Sequence, residues 1–488
     1  MAIHRDKTER EPTRPRIAVI GGGFAGAAFA IHLIRANGER PIAIDIYEPR
    51  PLLGAGLAYS SEDPAHRINV AAARMAVFSE DPTHFDRWFR ETGEAAADPE
   101  ALLEDGRAYP RRAAFGRYMD QLLRTVARAF PNVRFRHLRA KVTDVERDGE
   151  TYRLTSEAGE QSVADLVVLS PGHPPPPQRH WASAEAAGAP RFVADPWRPA
   201  ALEKIRPNDE VLIIGTGLTM ADVVASLRLR GHVGPITAVS RRGLTPRART
   251  TLPVEAFGSF NQPPTDSAAT LLQRVRQAVR DAAREGKPWE CVVDALRQQG
   301  TAVWQGLSPT SRRRFLRHLR AWWDVHRYQI APQLDRVLVE NQRGGRLKIV
   351  KADIRSIAAY QGSFHVSLHL RGPHRYPEVE RFFDAVVNCT GPDHGTVVQS
   401  NPVLHAMAMD GLLRADPQGL GIEVDQFARV IGVDETPSRN LFVAGPLARG
   451  YFGELMGLPQ VSLQPERLAQ YVAELLQSSE GRTLDVAV

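Results

Sequence analysis

Residues 17–48 read IAVIGGGFAGAAFAIHLIRANGERPIAIDIYE and contain the pattern that decides the fold. An apolar run leads into the glycine-rich turn GGGFAG at 21–26, a helical stretch follows, and a second apolar run closes on Glu48. Strand, glycine turn, helix, strand and terminal acid together are typical of a dinucleotide-binding Rossmann unit, whereas a GxGxxG pattern alone is common. We therefore predict a dinucleotide site here.

Each glycine of this turn has its own role. The first permits the tight turn, the second lets backbone amides approach a pyrophosphate, and the third lets the helix lie close to the strand. The helix N-terminus then faces the phosphate charge, and the acid some 20 residues later accepts hydrogen bonds from a ribose diol. The predicted contacts are Gly21, Gly23, Phe24, Ala25, Gly26 and Glu48.

A second copy of the pattern occupies residues 211–242, with GTGLTM at 215–220 and Met220 in place of the third glycine. Its second strand ends in Ser-Arg-Arg, where an acid would repel a ribose 2′-phosphate and a guanidinium can bind one. The alternative is that these arginines lie on a solvated turn. The predicted contacts are Gly215, Gly217, Leu218, Thr219, Ser240, Arg241 and Arg242. The acid of the first site favours a ribose with free hydroxyls, whereas the arginines of the second favour a ribose 2′-phosphate. This difference indicates that FAD is held permanently and that NADPH exchanges.

Composition limits the class of protein. A chain of 488 residues, 43% of them hydrophobic, is long enough for two or three domains with their own cores. No apolar run approaches the roughly 20 residues that a membrane span needs. The charged segment Met1–Arg16 lacks an apolar signal core and is expected to be a disordered lead-in, so the expected compartment is the cytoplasm.

Charge and cysteine content exclude further classes. The net charge of +6 comes from scattered arginines without a basic run, so we predict no nucleic-acid partner. Cys291 and Cys389 are the only cysteines and form no CxxC pair. A dithiol reductase mechanism therefore loses its redox pair, and two thiols alone supply no structural zinc site. We predict no metal.

The predicted fold class is α/β, with two Rossmann-like domains. We predict the first part of an FAD domain at 14–180, an NADPH domain at 181–380 and a C-terminal FAD part at 381–480. A helical insertion at about 264–342 interrupts the second domain, because strand pattern stops and helical periodicity begins there. Two similar strands that end in a small residue and glycine, at 165–172 and 384–391, are expected where the chain passes between the domains.

The insertion contains a helix with a charged face and an apolar face. The charged face comprises Arg313, Arg317, Arg320, Asp324 and Arg327. The apolar face comprises Phe315, Leu319, Trp322, His326 and Ile330. A solvated charged face is one reading. The other is that arginines such as Arg320 and Arg327 line a cleft over the flavin and bind a substrate carboxylate.

With these motifs placed, the chain resembles the flavoproteins with two dinucleotide-binding domains. It is most similar to the NADPH-dependent class B flavin monooxygenases, and to the bacterial FAD/NAD(P)-binding oxidoreductases that include the nitrosuccinate-forming aspartate N-monooxygenases. The motifs are GGGFAG at 21–26, GAGLAYS at 54–60, HRINVAAARM at 66–75, GTGLTMADVV at 215–224, CTGP at 389–392 and AGPLARG at 444–450. The resemblance implies that the C-terminal segment folds back onto the FAD domain. The cofactor contacts that it adds are Tyr59, Met75, Gly391, Gly445, Pro446 and Gln460.

One segment bears on mechanism. Residues 68–75 resemble the Asn-x-Pro-x-x-x-Met stretch of flavin-containing monooxygenases, with Ala71 in place of the proline. The resemblance implies that the side chain of Asn69 lies beside the flavin and the nicotinamide amide, as the candidate catalytic group. The alternative is that Asn69 caps a turn. His66, just before it, is a candidate substrate contact.

The resemblance implies an FAD-dependent monooxygenase that uses NADPH and O2 through a C4a-hydroperoxyflavin. Its expected substrate is a small amino acid, of the aspartate-to-nitrosuccinate type, or an amine, and a homodimer is compatible with the sequence. One alternative is an NADPH:acceptor oxidoreductase or oxidase that oxygenates nothing. Another is a flavin- or NADPH-binding sensor that uses the insertion as a partner surface.

Overall fold

The computed structural model describes residues 14–174, 176–177, 180–249, 255–372 and 378–484. The predicted lead-in lies outside these residues up to position 13. The first third of the chain contains β1 (Arg16–Ile20), α1 (Phe24–Asn37), β2 (Ile42–Tyr47), α2 (His84–Glu91), α3 (Glu94–Ala97), α4 (Arg112–Ala129), β3 (Val133–Leu138), β4 (Val142–Asp148), β5 (Thr151–Ser156), β6 (Gln161–Ala164) and β7 (Leu166–Leu169).

The middle of the chain begins a second sheet and then becomes helical. Its first elements are α5 (Ala184–Gly188), β8 (Phe192–Val193), β9 (Val211–Ile214), α6 (Leu218–Leu229) and β10 (Ile236–Ser240). The helices that follow are α7 (Ala268–Arg284), α8 (Glu290–Gln298), α9 (Gly300–Gly306), α10 (Pro309–Arg314), α11 (Arg320–Arg327) and α12 (Pro332–Arg343). They lie between β10 and the next strand, as predicted for the insertion.

The last third returns first to the second sheet and then to the first. Its strands are β11 (Leu347–Tyr360), β12 (Ser363–Leu370), β13 (Glu378–Phe383), β14 (Ala385–Asn388), β15 (Arg429–Ile431) and β16 (Pro437–Val443). Its helices are α13 (Val397–Ser400), α14 (Pro402–Met409), α15 (Arg449–Phe452) and α16 (Gln460–Leu484). Among the described residues, no helix is long and apolar enough to cross a membrane.

The first sheet has the strand order of a Rossmann domain. Its parallel strands run β3-β2-β1-β7-β16, with β15 antiparallel at the edge. Both faces are covered, so β1 and β7 are buried almost throughout. Since β16 comes from the C-terminal part of the chain and pairs with β7, the C-terminal segment folds back onto this domain, as the resemblance implies.

The second sheet repeats that order. Its parallel strands run β11-β10-β9-β14-β8, and β11 continues into an antiparallel pairing with β12 and β13. Because β14 pairs with β9, residues 385–388 belong to the second sheet. The predicted boundary between 380 and 381 is therefore too early, since a Rossmann sheet needs a strand on that side of its first strand. A separate antiparallel sheet of β4, β5 and β6 lies in the first domain.

The predicted two-faced helix of the insertion is interrupted. A π-helical segment, Phe315–Leu319, separates α10 from α11. A π-turn adds one residue, which rotates the following helix by about 100°. As a result Trp322, predicted in the core, is 49% exposed, whereas Arg327, predicted on the charged face, is buried. The faces predicted from the sequence are therefore wrong at Trp322 and Arg327, whereas Ile330, after α11, is buried as predicted.

The insertion docks onto the C-terminal return of the first domain. The indole nitrogen of Trp304 donates a hydrogen bond to the carbonyl of Gly450 at 2.8 Å, and the hydroxyl of Thr301 donates to the carbonyl of Phe452 at 3.0 Å. A Cβ on Gly453 would lie 2.7 Å from the side chain of Trp304, so only glycine allows this approach. The insertion thereby forms a wall of the space between the domains.

Candidate active site

The first glycine turn combines a packed glycine with an open one. Gly21 has φ +102°, and a Cβ there would lie 2.0 Å from the carbonyl oxygen of Ser170, so no other residue fits. A Cβ on Gly23 would meet only the Cα of Gly56, at 3.6 Å, an ordinary contact. A Cβ at Gly23, the residue just before α1, therefore causes no clash within the fold, and the outer side of Gly23 is open for a phosphate.

Glu48 lies at the end of β2, beside this turn. Its carboxylate is buried and accepts hydrogen bonds from the amide of Gly22 at 3.2 Å and from the amide of Arg50 at 3.0 Å. The half-exposed guanidinium of Arg50 also donates to it, at 3.2 Å. A carboxylate has about four acceptor positions, so capacity remains for a ribose hydroxyl. Arg50 is a neighbour that the motif did not identify.

The C-terminal return completes the first site. A Cβ on Gly445 would lie 2.6 Å from the Cβ of Ala25, so this turn packs against the start of α1, and Pro446 follows it directly. The buried amide of Gln464 holds the turn, because it accepts from the amide of Gly445 at 2.8 Å and donates to the carbonyl of Val443 at 2.9 Å. The side-chain oxygen of Gln460, the glutamine chosen from the sequence, instead accepts a hydrogen bond from Arg297 at 2.9 Å.

The second glycine turn also combines a packed glycine with an open one. Gly215 has φ +108°, and its Cβ would lie 2.4 Å from the carbonyl oxygen of Cys389, whereas a Cβ on Gly217 would meet nothing within 4 Å. The hydroxyl of Ser240 lies 2.8 Å from that of Thr216 and accepts from the amide of Gly243 at 3.0 Å. Ser240 therefore holds the end of β10 against the glycine turn.

A cavity of about 360 Å³ opens at this turn, and we call it the second-domain cavity. Seven predicted NADPH and cofactor contacts line it: Gly217, Leu218, Thr219, Ser240, Arg241, Arg242 and Gly391. The side chain of Arg241 is exposed, and Arg242 donates to the carbonyl of His318 at 3.2 Å. Both guanidinium groups thus stand at the end of β10, where a ribose 2′-phosphate would lie.

A central cavity of about 270 Å³ lies between the two domains. The first domain contributes Tyr59, Asn69 and Met75, and the second contributes Leu218 and Thr219. The side-chain oxygen of Asn69 is buried and accepts no hydrogen bond from the described residues. Such an orphaned acceptor is costly unless a ligand satisfies it, and this disfavours the alternative that the oxygen caps a turn.

The side chain of His66 lies at the boundary between the domains. Its Nδ1 is 2.6 Å from the hydroxyl of Ser61, and its Nε2 is 3.0 Å from the hydroxyl of Ser226 in α6. Burial lowers the pKa of His66 and favours the neutral ring. Both ring nitrogens are engaged and His66 does not line the central cavity, so these contacts join the two domains. A role for His66 as a substrate contact stays a prediction.

A neighbouring ion pair, which was not identified from the sequence, also joins the two domains. The guanidinium of Arg112, at the start of α4, lies 2.8 Å from the carboxylate of Asp222 in α6, and both are buried. Both also line the central cavity. Arg112 belongs to none of the motifs, and the motif GTGLTMADVV, which contains Asp222, does not indicate a partner for it, since only the packing of the two domains brings the helices together.

A third cavity, of about 320 Å³, lies under the insertion. Of the two predicted substrate arginines, Arg320 lines this cavity and pairs with Asp324 at 3.6 Å. Arg327 lines the central cavity and forms a buried pair with Glu454 at 2.7 Å. Tyr328 lines all three cavities, which therefore meet at its ring.

Comparison with known proteins supports the nature of the first domain and the overall fold. Residues 18–174 match the FAD-NAD(P)-binding family. The two kinds of cofactor predicted from the sequence, FAD and a nicotinamide dinucleotide, are those that the family description names. No curated protein matches the chain in sequence.

Three solved structures share the fold along nearly the whole chain. L-lysine 6-monooxygenase from Pseudomonas syringae has 20% identity and a TM-score of 0.62, over 95% of this chain and 99% of its own. Ornithine hydroxylase from Pseudomonas aeruginosa has 16% identity and a TM-score of 0.61, over 95% and 99%. The ornithine N-hydroxylase of Kutzneria sp. 744, with reduced FAD, NADP+ and L-ornithine, has 15% identity and a TM-score of 0.60, over 96% and 100%.

These matches confirm the predicted fold class of two Rossmann-like domains. The chain carries an FAD-NAD(P)-binding domain at residues 18–174 and has, over nearly its whole length, the fold of the class B flavin N-monooxygenases.

Proposed function

We propose that the protein is an FAD-dependent monooxygenase that uses NADPH and O2 to oxygenate the nitrogen of a small amino acid or an amine. The central cavity is the observation that carries this proposal. It is lined from both nucleotide domains and contains the orphaned acceptor of Asn69, so a flavin and a nicotinamide could meet there beside an unpaired amide. The similarity to amino-acid hydroxylases supports the same class of reaction.

The reaction balances without a protein nucleophile. NADPH, O2, a proton and an amine give NADP+, water and a hydroxylamine. When bound, FAD would supply the redox chemistry, accepting hydride from NADPH and activating O2 so that one oxygen atom reaches the nitrogen and the other leaves as water. The protein holds the cofactors on the two glycine turns, and the insertion and the C-terminal return close the space against water.

The proposed function includes several finer details. L-aspartate is the first substrate to test because of the motifs shared with the aspartate N-monooxygenases. The role of Asn69 is to hold a hydrogen bond at the reacting part of the flavin, and Arg241 and Arg242 select NADPH over NADH. A cytoplasmic location and a homodimer remain predictions.

The rival activity is an NADPH oxidase or NADPH:acceptor oxidoreductase on the same fold. The deciding experiment is stopped-flow reduction of the FAD-loaded enzyme by NADPH and its reoxidation by O2, with L-aspartate, other amino acids and amines present in turn. We expect one amino acid or amine to yield N-oxygenated product in proportion to the NADPH consumed. If the amount of hydrogen peroxide formed equals the amount of NADPH consumed with every compound, the protein is an oxidase and the proposal fails.

A further inference from the structure

The cavity under the insertion lies beyond the two cavities that the glycine turns reach, and we call it the insertion chamber. Its wall is formed by large apolar side chains: Leu296, Val303, Trp304, Phe315, Leu316 and Trp323. Its volume of about 320 Å³ is in the range of small-molecule sites. It shares Tyr328 and Met456 with the central cavity, so a molecule in the chamber can extend toward the flavin.

The chamber contains a buried cation that forms no ion pair with the residues that the structure describes. Arg449, at the start of α15, lines the chamber and is only 5% exposed. Its Nε and Nη2 atoms are buried and have no hydrogen-bond partner among the described residues. Desolvation lowers the pKa of Arg449 to about 10, so it stays charged at neutral pH. Burial of a charged donor without an acceptor is expensive, and a ligand carboxylate would supply the missing acceptors.

Carboxylates stand at the same end of the chamber. Asp324 and Glu454 both line it, and both interact electrostatically with Arg449. Glu454 is already bound by Arg327, whereas the one ion pair of Asp324 with a described residue is the longer contact of 3.6 Å with Arg320. Asp324 also lines the second-domain cavity, so this charged end faces the cofactors. The chamber therefore has a cation and an anion at one end and an apolar wall beyond them.

We propose that the insertion chamber binds an α-amino acid with an apolar or aromatic side chain, its carboxylate on Arg449 and its ammonium group at Asp324. The inference rests on the proposed function, because it identifies the chamber as the substrate site of that reaction. In this orientation the α-nitrogen lies at the end that faces the cofactors and the side chain packs against Phe315, Leu316 and Trp323. Aspartate fits less well, since its side-chain carboxylate would lie toward the apolar wall and away from the charged end that Arg320 and Arg449 line.

Binding to the FAD-loaded enzyme, measured by calorimetry without NADPH, tests this site with four probes. These are L-phenylalanine, L-aspartate, 3-phenylpropanoate, which lacks the amine, and phenethylamine, which lacks the carboxylate. We expect L-phenylalanine to bind at least about tenfold more tightly than L-aspartate. L-aspartate binding as tightly as L-phenylalanine, or more tightly, would overturn the proposal.

Two variants locate the ligand, and a third variant serves as the control. Arg449→Gln should weaken both L-phenylalanine and 3-phenylpropanoate by at least about tenfold, and phenethylamine by less than about twofold. Val303→Phe fills the chamber and should weaken all three aromatic probes by at least about tenfold. Arg317→Gln removes an exposed arginine of the π-helical segment and should change none of them. An equal loss for phenethylamine in Arg449→Gln would mean that this arginine only supports the fold, and the proposal would be wrong.

The outcomes also separate this inference from the proposed function. If Arg449→Gln loses FAD or unfolds, Val303→Phe decides, and unchanged L-phenylalanine binding in that variant overturns the site. Tight, chamber-dependent binding of L-phenylalanine without any N-oxygenated product would refute the proposed function and leave the site. N-oxygenation of L-aspartate alone, unaffected by Val303→Phe, would refute the site and leave the function.

Discussion

Arg112 and Asp222 form a buried ion pair, 2.8 Å long, that joins the two dinucleotide domains beside the central cavity. Arg112 also donates through Nε to the carbonyl of Arg67 at 2.9 Å, so its guanidinium is fixed from both domains. A buried pair adds little net stability over an apolar pair, but removal of one partner leaves an uncompensated buried charge. The pair therefore sets how the second glycine turn faces the first.

Loss of Arg112 should destabilise the protein strongly. Arg112→Met should lower the free energy of unfolding by about 3–5 kcal/mol, because Asp222 is left buried and unpaired. The double variant Arg112→Met/Asp222→Leu should regain part of that loss. The control is Arg117→Met, on the same helix, which breaks an exposed pair with Glu94 and should cost about 1 kcal/mol or less. Denaturant unfolding of the FAD-loaded protein measures all three, and equal losses in the two single variants would contradict the argument.

The two open glycines allow each cofactor site to be tested separately. Gly23→Val should fold but give colourless protein, because its side chain would point at the pyrophosphate of FAD and meets only Gly56 in the fold. Gly217→Val, which meets nothing within 4 Å, should stay yellow and lose NADPH binding. Absorbance and NADPH titration measure the two. A folded Gly23→Val protein with full FAD content would contradict the assignment of the first turn.

The motifs that predict the two domains could be recognised in the sequence because they are local. The predicted similarity between segments 165–172 and 384–391 is confirmed. Each strand lies beside the first strand of its sheet, and the carbonyl of Ser170 or Cys389 after it packs against the first glycine of a turn. Strand, turn and glycine follow one another in the chain, so pattern and spacing suffice.

The side-chain orientations within the insertion could not be predicted in the same way. The π-helical segment that turns Arg327 inward leaves no signature in helical periodicity, which instead places Trp322 in the core. The roles of Gln464 and Arg449 depend on how α16 and α15 pack against distant parts of the chain. Those contacts join residues far apart in sequence. The sequence alone therefore does not show which of the many arginines is buried.

NADPH selectivity should depend more on Arg241 than on Arg242. Arg241→Ala should weaken NADPH binding by about 1.5–3 kcal/mol, roughly ten- to a hundredfold, and leave NADH unchanged, because a charge-assisted contact to the 2′-phosphate is lost. Arg242 already donates to the carbonyl of His318, so Arg242→Ala should have a smaller effect. Dissociation constants for both nucleotides measure this. Equal losses for NADH and NADPH would mean that the arginines support the turn.

Amino-acid binding in the insertion chamber should depend on pH through Asp324. Desolvation raises the pKa of this carboxyl to about 6, although Arg320 and Arg449 oppose the shift and Glu454 adds to it. Below pH 6 Asp324 becomes neutral and no longer pairs with an ammonium group, whereas Arg449 stays charged. L-phenylalanine binding should therefore weaken as pH falls from 7 to 5, and 3-phenylpropanoate binding should not. Asp324→Asn should abolish the difference, and a pH profile unchanged in that variant would assign the effect to another group.

The variant Asn69→Ala distinguishes an oxygenase from a plain oxidase. The buried side-chain oxygen of Asn69 has no hydrogen-bond partner among the described residues, so Asn69→Ala should fold, bind FAD and accept electrons from NADPH as before. Turnover should shift from N-oxygenated product toward hydrogen peroxide, since the loss of a hydrogen bond of roughly 1–3 kcal/mol changes that partition about five- to a hundredfold. The control, Asn37→Ala, removes another buried amide with an unpartnered oxygen, at the far end of α1, and should leave the partition unchanged.

The ratio of product to peroxide per NADPH consumed measures this effect, together with the rate of flavin reduction. If Asn69→Ala slows reduction and leaves the ratio intact, the amide orients the nicotinamide for hydride transfer and does not act in the oxygen step. If neither quantity changes, the orphaned oxygen is unrelated to turnover. The proposed monooxygenase would then rest on its fold alone, which monooxygenases share with other two-domain flavoproteins.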